Sequence, residues 1–124
     1  GKTAYIARDD LARAAAAVLS SNKDGKATYT LSGAKQFTVD EVASLASKAT
    51  GKPLTVVHVP IEGLIQGMIG AGLPDGVARV FASFDAAAAQ GALSGTPDDY
   101  KTLVCSSPQD FEAWLTKNSA AFTA

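Results

Sequence analysis

The chain has 124 residues, 24 of them alanine and 11 glycine, and a formal net charge of −1 from 11 basic and 12 acidic side chains. That length suits a single domain, and a chain of 12.6 kDa buries roughly two thirds of its surface on folding, leaving ~6,200 Å² exposed. A hydrophobic content of 47% with 19% charged residues argues against disorder, and a near-neutral chain without basic runs excludes nucleic acid and anionic membrane surfaces as direct partners.

Ala4-Tyr5-Ile6-Ala7 is a strand-like entry. It meets Arg8-Asp9-Asp10, where either aspartate can accept from the first free amides of a helix. Leu11, Ala14, Ala15, Val18 and Leu19 recur at helical spacing and predict a helix over 10–20, followed by a turn at Ser21–Gly25. Lys26–Leu31 reads as a strand. Thr38-Val39-Asp40-Glu41 is a capping box, with Phe37 and Val42 placed as a hydrophobic staple. Val42, Leu45, Ala46 and Ala49 continue that helix until Gly51 and Pro53 stop it.

Leu54–Val59 is short and β-branched, a strand bounded by two prolines, with apolar residues on both faces that predict cover on both sides. Ile61, Leu64, Ile65, Met68 and Ile69 follow at helical spacing. Pro74 stands where a first helical residue would, and Val77, Val80, Phe81 and Phe84 predict the buried stripe of the next helix, which ends at Gly91. Residues 92–106 read as irregular and polar. Ser107–Asp110 opens a last helix that buries Phe111, Trp114 and Leu115, with a frayed tail after Asn118. The fold class is α/β, about five helices with two or three short strands.

Few residues carry a chemical signature. Cys105 is the single cysteine and His58 the single histidine, which excludes a disulfide framework and a multi-thiolate or histidine-cluster metal site. Neither has an identifiable catalytic partner in sequence, so the catalytic and metal-ligand sets are empty. Asp9/Asp10 and Asp40/Glu41 read as helix-start acids favoured by the macrodipole, and Asp98/Asp99 as a solvated pair. Gly70–Gly76 superficially resembles a dinucleotide loop, but it follows a helix, its third glycine is one residue late, and Pro74 removes an amide; it reads as a helix–helix turn. The segment 61–84 gathers Ile65, Met68, Ile69, Leu73, Phe81 and Phe84 around that turn, either as ordinary core or as the wall of an apolar pocket. No apolar stretch approaches the ~18–20 residues of a membrane span, and the start at Gly1-Lys2 has no signal-peptide h-region and no initiator Met. The sequence reads as a processed or engineered fragment from a reducing, cytoplasmic setting.

The order of motifs resembles a known family. Tyr5–Ala12 is similar to the R-x-D-x-A stretch in the later part of NmrA-like atypical short-chain dehydrogenases/reductases, and Thr28–Gly33 to their Y-x-L-x-G strand. Phe37–Pro53 resembles their helix ending in "tGkp", Gly72-Leu73-Pro74 the same region of type-2 NAD(P)H:quinone oxidoreductases, and Ser107–Leu115 their closing helix. The resemblance implies that residues 1–124 form the C-terminal, substrate-binding part of a Rossmann-type protein whose N-terminal Rossmann domain is not in this chain. It implies NAD(P)H as cofactor of the intact protein, none for this part alone, and hydride transfer to a small apolar substrate such as a quinone, with the chemistry residing in the cofactor. Met68, Leu73, Pro74 and Phe81 match the lobe facing the substrate, which with Ile65 and Ile69 completes the candidate substrate-binding set; Arg8 and Asp10 match a motif that seats a helix. The alternative is a non-enzymatic dinucleotide-sensing regulator whose C-terminal lobe binds a partner protein. Strands without sheet neighbours further predict exposed apolar surface and self-association.

Overall fold

The computed structural model describes residues 1–22 and 24–122. Lys23, inside the expected turn, and Thr123 and Ala124, at the end of the tail, lie outside the described residues. Six α-helices are described: α1 (Arg8–Leu19), α2 (Val39–Thr50), α3 (Ile61–Gly70), α4 (Asp75–Ala89), α5 (Asp99–Val104) and α6 (Phe111–Lys117), followed by a 3-10 turn at Ser119–Phe122. They pack in three groups: α3 on α4, α1 on α5, and α2 on α6 and the final turn.

The expected strands do not form among the described residues. Thr3 and Phe37 make one isolated antiparallel bridge, exchanging both N–H···O bonds at 2.9 Å, while Ala4–Ala7, Lys26–Leu31 and Leu54–Val59 are without strand partners. The reason is physical: a strand exists only as one member of a pair, and β-branched composition cannot supply the second member. Leu54–Val59 is therefore not covered on both faces, and Leu54, Val57 and Val59 are exposed.

Local chemistry sets α2. The Glu41 amide donates to Thr38 Oγ1 at 3.2 Å and the Thr38 amide to Glu41 Oε2 at 2.7 Å, closing the capping box. The bond from the Thr38 amide holds the Glu41 carboxyl below its usual range. Gly51 ends the helix in the left-handed region at φ +69°, where a side chain would be strained. Gly33 serves a different need: its amide donates to the Ala4 carbonyl at 3.3 Å, and a Cβ there would collide with the Tyr5 carbonyl oxygen.

α1 starts at Arg8, with Ala7 in the capping position, so neither aspartate caps it. Asp10 is instead wholly buried, as is Ala14 one turn on, whereas Leu19 of the expected stripe is 86% exposed. Asp10 Oδ1 accepts from the Tyr100 hydroxyl at 3.0 Å, and Oδ2 accepts from the Gln109 amide at 2.8 Å. Burial, and then the bond to Asp10, pushes the Tyr100 phenol above its usual range. Tyr100 belongs to α5, a helix inside the segment expected to be irregular. Asp99 beside it is half-buried and accepts from the Thr30 amide at 2.7 Å, so that pair is not simply solvated.

The last helix follows the expected pattern. Asp110 caps it by accepting from the Ala113 amide at 3.1 Å, and its carboxyl is held low by Lys35, 3.0 Å away, and then by that amide. Leu115 is buried, with Phe111 and Trp114 half-buried. The tail is a turn rather than frayed as far as Phe122, whose ring meets Trp114 edge-on at 6.4 Å.

Candidate functional site

The hairpin of α3 and α4 carries all six candidate substrate-binding residues, but does not gather them into one cavity. Ile65 is buried against Ala78 and Ala82 of α4, with Leu64, Met68, Ile69 and Leu73 partly buried around that cluster. Four of the six therefore hold the hairpin together. Pro74 is exposed at the elbow, in the capping position of α4 rather than its first turn. Phe81 is 48% exposed.

The stripe expected to be buried on α4 faces outward. Val77, Val80, Phe81 and Phe84 are all exposed, while Ala78 and Ala82 lie at 0% and 1%. Alanines let α3 and α4 approach closely, and the larger side chains are left on the opposite side, where Phe81 and Phe84 meet edge-on at 6.4 Å. Arg79 ties the start of α4 to itself and to α3, with its Nε 3.1 Å from Asp75 and its Nη1 3.9 Å from Glu62. Such exposed pairs add little to stability.

The hairpin also contributes one side of an open groove of about 600 Å³. Ile61 and Leu64 of α3 and Ala86 and Ala89 of α4 face Val57, His58 and Val59 of the unpaired extended segment. Asp85 and Gln90 add polar groups from the end of α4. His58 Nε2 lies 3.0 Å from Asp40 Oδ1, near the start of α2, and both side chains are largely exposed. Sequence reasoning missed this carboxylate partner. The signal available was the position of Asp40 in the first turn of a firmly capped helix.

The Gly70–Gly76 turn does not have the strand–loop–helix form of a dinucleotide cradle. Gly70–Gly76 connects two helices, and Pro74 has no N–H to offer a pyrophosphate. A Cβ at Gly70, Gly72 or Gly76 would meet nothing within 4 Å, so these glycines create no niche against neighbouring atoms. Among the described residues no helix is long and apolar enough to cross a membrane.

No family model matches the chain. Quinone oxidoreductase 2 of Escherichia coli is 36% identical over 104 residues, which is 83% of this chain and 35% of that protein. The NAD(P)H azoreductase of Xenophilus azovorans is 27% identical over the whole chain and 43% of its own length. The crystal structure of Citrobacter triphenylmethane reductase complexed with NADP(H) superposes with a TM-score of 0.84 at 30% identity, over 96% of this chain and 41% of that one. The chain is homologous to the C-terminal part of NmrA-like reductases. It spans less than half the length of each of these three relatives.

Proposed function

We propose that the chain is the substrate-facing C-terminal region of an NAD(P)H-dependent oxidoreductase that reduces a small quinone, working against a Rossmann-type domain that binds the dinucleotide. One observation carries the reading: a region homologous to such reductases presents an open, largely apolar groove of about 600 Å³. A quinone is flat and apolar with two carbonyl acceptors. Val57, Val59, Ile61 and Leu64 offer apolar area to its ring, and the side-chain amide of Gln90 offers a donor to its oxygens. In this reading Ile65, Met68, Ile69 and Leu73 keep the hairpin rigid behind the cleft, while the exposed Pro74 and Phe81, which do not line the groove, meet the facing domain.

The exposed surface supports a covered face. The chain exposes 8499 Å², roughly a third more than the ~6,200 Å² expected of a self-contained monomer of its mass. The hydride donor is bound by the facing domain, and the part of this chain is to bind the acceptor, orient it and exclude water.

The test uses the chain joined to a Rossmann domain of this family, with menadione as the probe quinone. Menadione-dependent NADPH oxidation is expected, and Ile61→Ser is expected to raise KM several-fold with little change in kcat. The 124-residue chain alone is expected to show neither turnover nor tight NADPH binding. Stoichiometric, tight NADPH binding to the chain alone in calorimetry would overturn the division of labour. A joined protein that binds NADPH but never oxidises it with a quinone would overturn the activity.

A further inference from the structure

A second cavity lies between the entry segment and α6 and shares no residue with the groove. It measures about 290 Å³. Its walls are aromatic and aliphatic: Tyr5 stacks on Phe111 with ring centroids 5.1 Å apart and planes 18° from parallel, and Ile6 and Trp114 complete the lining. Its polar side chains are Gln109 and Arg8. Gln109 is engaged, its amide and its side-chain nitrogen both directed at Asp10 at 2.8 and 3.4 Å.

Arg8 is different. Of the three arginines, Arg13 lies 3.8 Å from Asp10 and Arg79 lies 3.1 Å from Asp75. Arg8 has no carboxylate or hydrogen-bond partner among the described residues. A guanidinium is a planar fork of donors that matches a carboxylate or sulfonate, and it also stacks on aromatic rings. An apolar aromatic cleft with one unpaired cation has the complement of an aromatic ring bearing one anionic group.

We propose that this cleft binds a small aromatic anion, its ring against Tyr5, Phe111 and Trp114 and its charged group on Arg8. The cavity lies near the lower end of the size range of small-molecule sites, ~300–1,000 Å³, which admits one or two fused rings and excludes a dinucleotide. The site is independent of the quinone reading, because none of its residues lines the groove.

Trp114 is the single tryptophan, so its indole N–H gives one assignable signal in a ¹H–¹⁵N spectrum. The experiment titrates the labelled protein with 2-naphthoate and, separately, with the uncharged 2-naphthamide. The indole signal is expected to move saturably with both, with naphthoate binding about ten-fold more tightly at low salt and the preference shrinking in high salt. Arg8→Gln is expected to abolish the preference while leaving naphthamide affinity within about two-fold, because Arg8 is exposed and holds no other group in place. Lys117→Gln, one turn beyond Trp114 on α6, is expected to leave the preference intact. An unmoved indole signal, equal affinity for the two probes, or an R8Q protein that keeps the preference would each overturn the proposal. A loss in K117Q as large as that in R8Q would also overturn it, assigning the effect to general surface charge.

Discussion

Replacing Tyr100 by phenylalanine tests the buried polar contact that joins α1 to α5 with little disturbance to the shape of the core. The ring stays, and the hydroxyl that donates to Asp10 Oδ1 at 3.0 Å is removed. Tyr100 and Asp10 are 1% and 0% exposed, so water has no route to replace the lost donor. A hydrogen bond to a charged group contributes about 1.5–3 kcal/mol. Asp10 keeps the Gln109 amide at 2.8 Å, the Gln109 side chain at 3.4 Å and Arg13 at 3.8 Å. These remaining partners place the loss towards the lower end of the range, about 2 kcal/mol. For a chain of this size that lowers Tm by roughly 8 °C.

The assay is thermal unfolding followed by far-ultraviolet circular dichroism, at neutral pH and again at alkaline pH. The phenol of Tyr100 is held above its usual range by burial and by Asp10. Its contribution is therefore complete below the unfolded phenol's pKa, ~10, and is lost as pH rises through the higher folded value. The gap between wild type and Tyr100→Phe is expected to close at alkaline pH. A drop under ~2 °C at neutral pH, or a gap that persists unchanged in alkali, refutes the reasoning.

Other substitutions address other contacts. Thr38→Ala removes the cap of α2 and is expected to cost about 1 kcal/mol in urea unfolding. Glu41 titrates below its usual range in the folded protein, so the stabilisation linked to it is present above the ordinary carboxyl pKa and fades as pH falls through the folded value; a pH series comparing wild type with Glu41→Gln, which removes the titrating group, reads this directly. Ala82→Leu forces bulk between α3 and α4 and is expected to destabilise by about 1–3 kcal/mol, measured by urea unfolding against wild type. Val80→Glu combined with Phe84→Glu, on the exposed apolar face of α4, is expected to reduce concentration-dependent association in sedimentation velocity while leaving the helix content unchanged.

What could be read from the sequence was what is decided within a few residues. The box at Thr38 and Glu41 and the glycine stop at position 51 each depend on neighbours three or four positions away, and each is in place. Spacing alone made Asp10 look like a cap, because a carboxylate just before an apolar run does, and its partners stand 90 and 99 positions away; only the family resemblance gave it a helix-seating role. The orientation of α4 failed for another reason. Ala78 and Ala82 make one stripe and Val77, Val80, Phe81 and Phe84 another, and size alone favours the wrong one when close helix packing needs the small side. The candidate site was partly legible: the hairpin was found, but the groove depends on a non-local approach of Val57–Val59 to the end of α4.

The contact between Asp10 and Tyr100 also has a kinetic consequence. It closes a loop of about ninety residues that contains α2, α3 and α4. Closing a long loop costs entropy that only its final contacts return, whereas the α3–α4 hairpin joins neighbours across a four-residue turn. The hairpin can therefore assemble early and on its own, and the two ends of the chain meet late. A nick in the exposed stretch before α3 should slow that late step far more than it slows formation of the hairpin.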